Sequence, residues 1–286
     1  MSLPGRLAAT VILAVYVLCP SPARAQQDAR SLVRTVVDSE LAADSNDRSQ
    51  WMFRDANKTS IKSTVTLVVQ TGEGDLSKLV EINGQPPTSQ QQAADEQKMR
   101  RYVTDSSVRQ KQKQDQKQDS QKASALTKML PDAFLWTRTG ETETETTLAF
   151  KPDPKFTPPT YQARVFAAMQ GSMVVDRKDR RIKSLKGSLT RDVEFGYGLL
   201  GKLQQGGTFA VERQRIGPGV WEITSTHVHI QGHALLFKSI GEQQDEETSG
   251  YTPTPPNTTL ADAEKMLNDG MVARMVAQRP GTGKPK

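Results

Sequence analysis

GSMVVDRKDRRIKSLKGSLTR, residues 171–191, is the stretch on which the fold turns. Ser172 to Asp176 is an apolar strand, Lys178-Asp179 is turn-forming, and Arg181 to Arg191 is a second strand. Strands this close in sequence pair antiparallel, because a parallel pair needs a crossover of a dozen or more residues. The same rhythm continues downstream in Val193–Tyr197, Thr208–Arg215, Val220–Ile230 and Ala234–Ile240. The breaks are Gly198 and Gly201, Gly206-Gly207, Gly217-Pro218-Gly219 and Gln231-Gly232. Upstream, Phe134–Arg138 and Glu141–Phe150 are strands stopped by Pro152 and Pro154, and Pro158-Pro159-Thr160 starts a helix over Tyr161–Met169. This spacing predicts an antiparallel meander that forms a curved sheet or barrel.

Towards the N-terminus the period changes. Val65, Leu67 and Val69 alternate with Thr64, Thr66 and Gln70, so Ser60–Gln70 reads as a strand, with Ile61 on the apolar face. Thr71 to Asp75 then turns the chain into Leu76, Val80 and Ile82, closing a hairpin that ends at Asn83-Gly84. Leu32, Val33, Val36, Val37 and Leu41 give residues 29–44 the spacing of an amphipathic helix. Residues 90–122 contain ten glutamines, and Arg109 to Lys122 contains no apolar residue, so this insertion is a solvated helix or a disordered segment. Its lysines are diluted by Asp115 and Asp119 without interleaved aromatics, which argues against nucleic acid. Residues 251–286 read as a linker, a short helix and a tail; Thr259 and Asp262 form a capping box, and Leu260, Ala263, Leu267 and Met271 make one stripe.

The 286 residues are 35% hydrophobic and 24% charged, enough apolar content for a core. Residues 1–25 read as a secretory signal: Arg6, an apolar run from Leu7 to Leu18, and Ala23-Arg24-Ala25 as the cleavage pattern. A retained anchor or a lipoprotein at Cys19 is the alternative, although Leu18 is too bulky for the position before a lipidated cysteine. Cys19 is the single cysteine, so removal of the leader leaves no thiol for catalysis, metal ligation or disulfides. The expected location is the periplasm or cell envelope, after secretion across the inner membrane.

Few residues suggest chemistry. His227, His229 and His233 are all the histidines of the chain, and on a strand His227 and His229 share a face, as two metal-ligating imidazoles would. Against this alternative, the same residues also fit the polar face of a half-buried strand, and no metal is assigned. Glu141, Glu143 and Glu145 are expected on one solvated strand face. Gly201-Lys202 does not meet the phosphate-loop frame, because Leu203 replaces the hydroxyl residue; the apolar Leu199, Leu200 and Leu203 suggest a loop folded over the sheet. Gly171-Ser172-Met173 is not a nucleophile elbow. No catalytic set emerges, so the chain reads as a non-enzymatic protein without a cofactor.

The order of features resembles the outer-membrane lipoprotein-sorting proteins, the LolA/LolB-like superfamily, and the related periplasmic sensor RseB. The residues that carry the resemblance are the leader and first helix, the pair Ser60–Gln70 and Leu76–Asn83, the run from Gly171 to Ile182, and Trp221 at the head of a strand. Met52-Phe53-Arg54-Asp55, Asn83-Gly84-Gln85-Pro86 and the run from Phe195 to Gly201 are similar to uncharacterised secreted bacterial proteins of that type. The resemblance spans roughly residues 28–245, within a β-rich domain of residues 26–250. The polar insertion departs from it, and no ligand-contacting residue is carried over. It implies a mostly β fold with α elements: a half-open antiparallel β-barrel whose concave face is covered by helices and encloses an apolar cavity.

The expected function is therefore binding of a lipophilic ligand, a lipid or the acyl chains of a lipoprotein, with peripheral membrane contact. The expected wall is Val65, Leu67, Phe134, Trp136, Phe195, Leu199, Leu200 and Trp221. The alternative is an envelope protein-interaction module, a sensor or chaperone, using the polar insertion and the Met266/Met271/Met275 helix as contact surfaces.

Overall fold

In the computed structural model, residues 22–195, 201–234 and 243–277 are described. Residues 1–21, and with them most of the leader, lie outside, as do Leu199 and Leu200. Helix α1 (Pro22–Asn46) takes in Ala23-Arg24-Ala25 and runs on to bury Ala29, Val33, Val36 and Val37 along one face. It ends where Asp47 Oδ1 accepts the Ser49 N–H, a turn that competes with further helix.

Three antiparallel strands follow: β1 (Trp51–Thr59), β2 (Ser63–Thr71) and β3 (Gly74–Ile82). The β2–β3 hairpin is the one expected. Ile61 is a correction: it sits in the turn before β2 and is 89% exposed rather than on the apolar face. Gly74 has φ +146°, and an added Cβ would fall 2.0 Å from the Tyr102 hydroxyl oxygen, so only glycine fits there.

The polar insertion is helical throughout. Thr88 and Gln91 form a capping box on α2 (Ser89–Thr104), and Asp105 caps α3 (Ser106–Ala133). Met99 and Tyr102 anchor α2; Leu130, Pro131 and Ala133 anchor the end of α3. The pair runs from β3 to β4 (Phe134–Glu141), which are the two edges of a ten-stranded antiparallel sheet. Such a sheet is about 43 Å across at roughly 4.8 Å per strand. The 28 residues of α3 reach about 42 Å at 1.5 Å each. The long uncharacteristic helix thus has the length to carry the chain from one edge to the other.

The remaining strands of this sheet are β5 (Glu145–Pro152), β6 (Met169–Asp176), β7 (Arg181–Leu189), and, inserted between strands of a small second sheet, β10 (Thr208–Gly217) and β11 (Val220–His229). The small sheet is β8 (Val193–Phe195), β9 (Gly201–Leu203) and β12 (Gly232–Ala234), and β13 (Gln243–Pro253) returns to the large one. A 3-10 helix, Gln162–Ala168, occupies most of the helix expected at Tyr161–Met169. Glu141 ends β4 and Glu145 begins β5, with residues 142–144 in the turn. The three glutamates are therefore split across a hairpin instead of lining one strand. The last strand, β13, lies between β1 and β11 and joins the two meanders. Helices α4 (Leu260–Asn268), capped by Thr259 and Asp262, and α5 (Met271–Ala277) complete the chain.

The cores lie on opposite faces of the two halves. Under α1 are Phe134, Trp136, Leu148, Phe150, Met173 and Val175, with Leu185 and Phe209 beside them. Under α2, α4 and α5 are Met52, Leu67, Val69 and Leu76 with Met99, Tyr102, Leu260 and Val272. Register links Phe209 to Val228, Val228 to Gln244, and Gln244 to Thr59, so the α1 face continues onto Asp55 and Asn57. Met52, Leu67 and Val69 point the other way. The sheet is antiparallel and open: β3 and β4 are its unjoined ends.

Candidate ligand cleft

A cleft of about 630 Å³ opens on the α1 face, between the C-terminal half of α1, the second half of α3, and strands β7, β10 and β11. Its apolar lining comes from Leu41, Leu130, Ile182, Leu185, Val211, Trp221 and Ile223. Ile223 is 48% exposed.

Polar groups fix this geometry. Glu40 is buried among the apolar residues of α1, and its carboxylate accepts Arg181 Nε at 2.9 Å and the Ile182 N–H at 2.6 Å. It also takes the Arg213 guanidinium, whose other nitrogen donates to the Trp221 carbonyl at 2.9 Å. One carboxylate therefore ties α1 to β7 and β10 and holds the cleft wall. Asp179 accepts the Trp221 indole N–H at 2.8 Å and pairs with Arg215, orienting the indole. That indole bond, with Arg215 beside it, holds the Asp179 carboxyl below its usual value. Burial has the opposite effect on Asp44 and Glu222, which line the cleft and whose carboxyls are pushed up.

On the same face, past Ile223, strands β11, β13 and β1 present polar residues. Asp55 lies directly across from Thr66 on β2 and Thr248 on β13, with Glu246 near it, and its Oδ1 is buried without a hydrogen-bond partner. Burial raises the carboxyls of Asp55 and Glu246 and pushes the Tyr251 phenol up to about 12. A folded-state value above the unfolded 3.8 means that ionising Asp55 costs the folded state stability as pH rises through the carboxylate range. Asp55→Asn is expected to raise the urea midpoint at pH 7, with the gain shrinking below pH 3.8. Equal midpoints for the two proteins at pH 7 would show that the carboxylate carries no such penalty.

The sequence-derived wall is not assembled in one place. Phe134 and Trp136 belong to the core under α1, Leu67 to the core under α4, and Phe195 to a small core with Ala168, Leu189 and Val193. Val65 is buried on β2, two residues from Leu67 on the same face. Among the described residues of that expected wall, only Trp221 lines the cleft; Leu199 and Leu200 lie outside the described residues. Met266 is buried in the core and Met271 is 40% exposed, so these two do not form a continuous surface. Val211 follows Phe209, and Ile223 follows Trp221, at the period of a strand, so these cleft residues carry a sequence signal; Ile182 and Leu185 are three apart and share a face only because a bulge in β7 lies between them.

The histidines also separate. His227 and His229 share a face of β11, and both reach Asp245 on β13. His233 belongs to β12 in the small sheet. Among the described residues no group of three or more His, Cys, Asp or Glu is arranged to hold a metal ion, and no helix is long and apolar enough to cross a membrane. No protein-family model and no curated protein sequence matches this chain.

Proposed function

We propose that this chain is a carrier of an amphiphile, a lipid or the acyl chains of a lipoprotein, on the extracytoplasmic side of the cell envelope, and that carriage itself needs no catalytic step. The observation that carries this reading is the cleft: aliphatic walls, a tryptophan held by its own hydrogen bond, and a volume of about 630 Å³. Small-molecule sites span roughly 300–1,000 Å³ and are mostly apolar with a few placed polar groups. Burial of each methylene of an acyl chain would contribute about 0.8 kcal/mol. Asp44, Glu222 and Arg213 in the wall would face the polar end of the ligand.

In this reading the α1 face is the concave side of a half-barrel, as the resemblance to lipoprotein-sorting proteins implies. The desolvated Asp55, Glu246 and Tyr251 support it, because a flat open sheet would leave them in water. Native mass spectrometry of the chain against a Val211→Asp/Ile223→Asp variant tests the proposal. Both substitutions place a charge on the apolar wall, and the expected result is loss of a lipid adduct from a protein that remains folded.

A further inference from the structure

Away from the cleft, on the opposite face of the sheet, three side chains form a chain of hydrogen bonds. Ser225 and His227 are two apart on β11 and point the same way; Asp245 lies directly across from His227 on β13. Ser225 Oγ is 2.8 Å from His227 Nε2, and His227 Nδ1 is 2.8 Å from Asp245 Oδ1. An ionised carboxylate only accepts, so the Nδ1 of His227 carries the hydrogen. In the neutral ring Nε2 is then a free lone pair, and the Ser225 hydroxyl donates to it. His229 Nε2 reaches the same Asp245 oxygen at 2.8 Å and fixes the carboxylate from a second side. Hydrogen bonding from His227, joined by His229, holds the Asp245 carboxyl below its ordinary value, so it stays an acceptor.

This is the order of nucleophile, base and orienting carboxylate that activates a serine in unrelated folds, where geometry and role rather than sequence position define it. We propose that Ser225 is a nucleophilic serine, with His227 as its general base, and that it takes the acyl group of small neutral or cationic esters. Substrate class follows from the surroundings. The side chains of His227 and His229 are 43% and 55% exposed, so among the described residues no walled pocket selects a long substrate. Glu212 and Glu247 flank Ser225 on the two neighbouring strands and disfavour anionic esters; Glu212 is paired with Lys186, and Lys58 lies across from Asp245.

In the reaction, Ser225 Oγ bonds to the ester carbonyl carbon as its proton passes to His227 Nε2. The carbon–oxygen bond to the alcohol then breaks, and the alcohol leaves with that proton. Water attacks the acyl-serine in the same way, giving up its proton through Nε2, and releases the carboxylic acid with the Ser225 hydroxyl restored. The site is independent of the cleft and would operate whether or not the cleft is filled.

The test is intact-mass and peptide mass spectrometry of the full chain after exposure to 4-nitrophenyl acetate. One acetyl group on Ser225 is expected, absent in Ser225→Ala. His227→Gln should slow its appearance about 100-fold, the size of a general-base effect. Asp245→Asn should slow it as well while the circular dichroism spectrum stays that of the parent chain. Acetylation confined to lysines, or labelling of Ser225 at the same rate in His227→Gln, would overturn the proposal.

Discussion

Replacing Trp136 by alanine should cost about 3–5 kcal/mol of stability, the range for removing a buried large aromatic side chain. Trp136 has no exposed surface. Its ring meets Phe134 edge-on, with centroids 5.8 Å apart, and Phe150 at 5.2 Å. The indole N–H donates 3.0 Å to the Leu130 carbonyl in the last turn of α3. Alanine would leave a cavity where three rings interlock, and it would also leave that helix-end carbonyl without its donor. The effect should reach beyond the core, because Leu130 is where the long polar helix is fastened to the sheet. Urea denaturation would show a lower midpoint, and helix content would be lost before the sheet. A loss under about 1 kcal/mol would mean that this core repacks freely, contrary to the close packing of protein interiors.

Glu40→Ala should be nearly as damaging by a different mechanism. Glu40 and Arg181 have side chains only 6% and 7% exposed, and Arg213 is 14% exposed. Removing the carboxylate takes away the hydrogen-bonded partner of both guanidinium groups, with Asp44 and Glu222 left as acids near them; breaking a buried ion pair in this way costs about 3–5 kcal/mol. It also frees α1 from β7 and β10, so the cleft wall should lose its shape. The complementary experiment is the triple change Glu40→Leu, Arg181→Met, Arg213→Met. Removing all the charges together should recover most of the stability, because apolar replacement of a buried ionic set is often neutral or better. Thermal unfolding of the three proteins separates the cases. If the single and triple variants were equally unstable, the Glu40 set would be acting through packing and not through charge.

Much of this architecture was legible in particular residues. The alternation of Val65, Leu67 and Val69, the Thr71–Gly74 turn and the Thr259–Asp262 box each produced the element they predict, because local patterning and tertiary burial agree there. Strand β13, QQDEETSGYTP, shows no apolar alternation: its first part reads as an acidic stretch with no assigned element, and only residues 251–253 fall in the expected linker. It is a strand because β1 and β11 pair with it on both sides, a non-local cause that composition does not carry. Strand β1 has no legible alternation for a related reason: Arg54, Asp55 and Asn57 interrupt its apolar pattern, and Asp55 is part of the desolvated polar patch.

The same limit applies to the sites. The His227/His229 pair shares one strand face in the sequence, but Asp245 lies in an acidic stretch to which no strand is assigned, so nothing there places it across from His227. Glu40 is 141 residues from Arg181 and 173 from Arg213, and they meet only because α1 packs on the sheet face that carries both arginines. The cleft itself depends on where α3 crosses, and nothing in a run of lysine and glutamine fixes that.

Native mass spectrometry of the chain purified from an envelope fraction is the measurement that bears most directly on the proposed carrier function. The account predicts a heterogeneous adduct that extracts into organic solvent, and its loss from the Val211→Asp/Ile223→Asp variant. A bare protein mass from lipid-rich envelope, or an adduct retained unchanged by that variant, would contradict it.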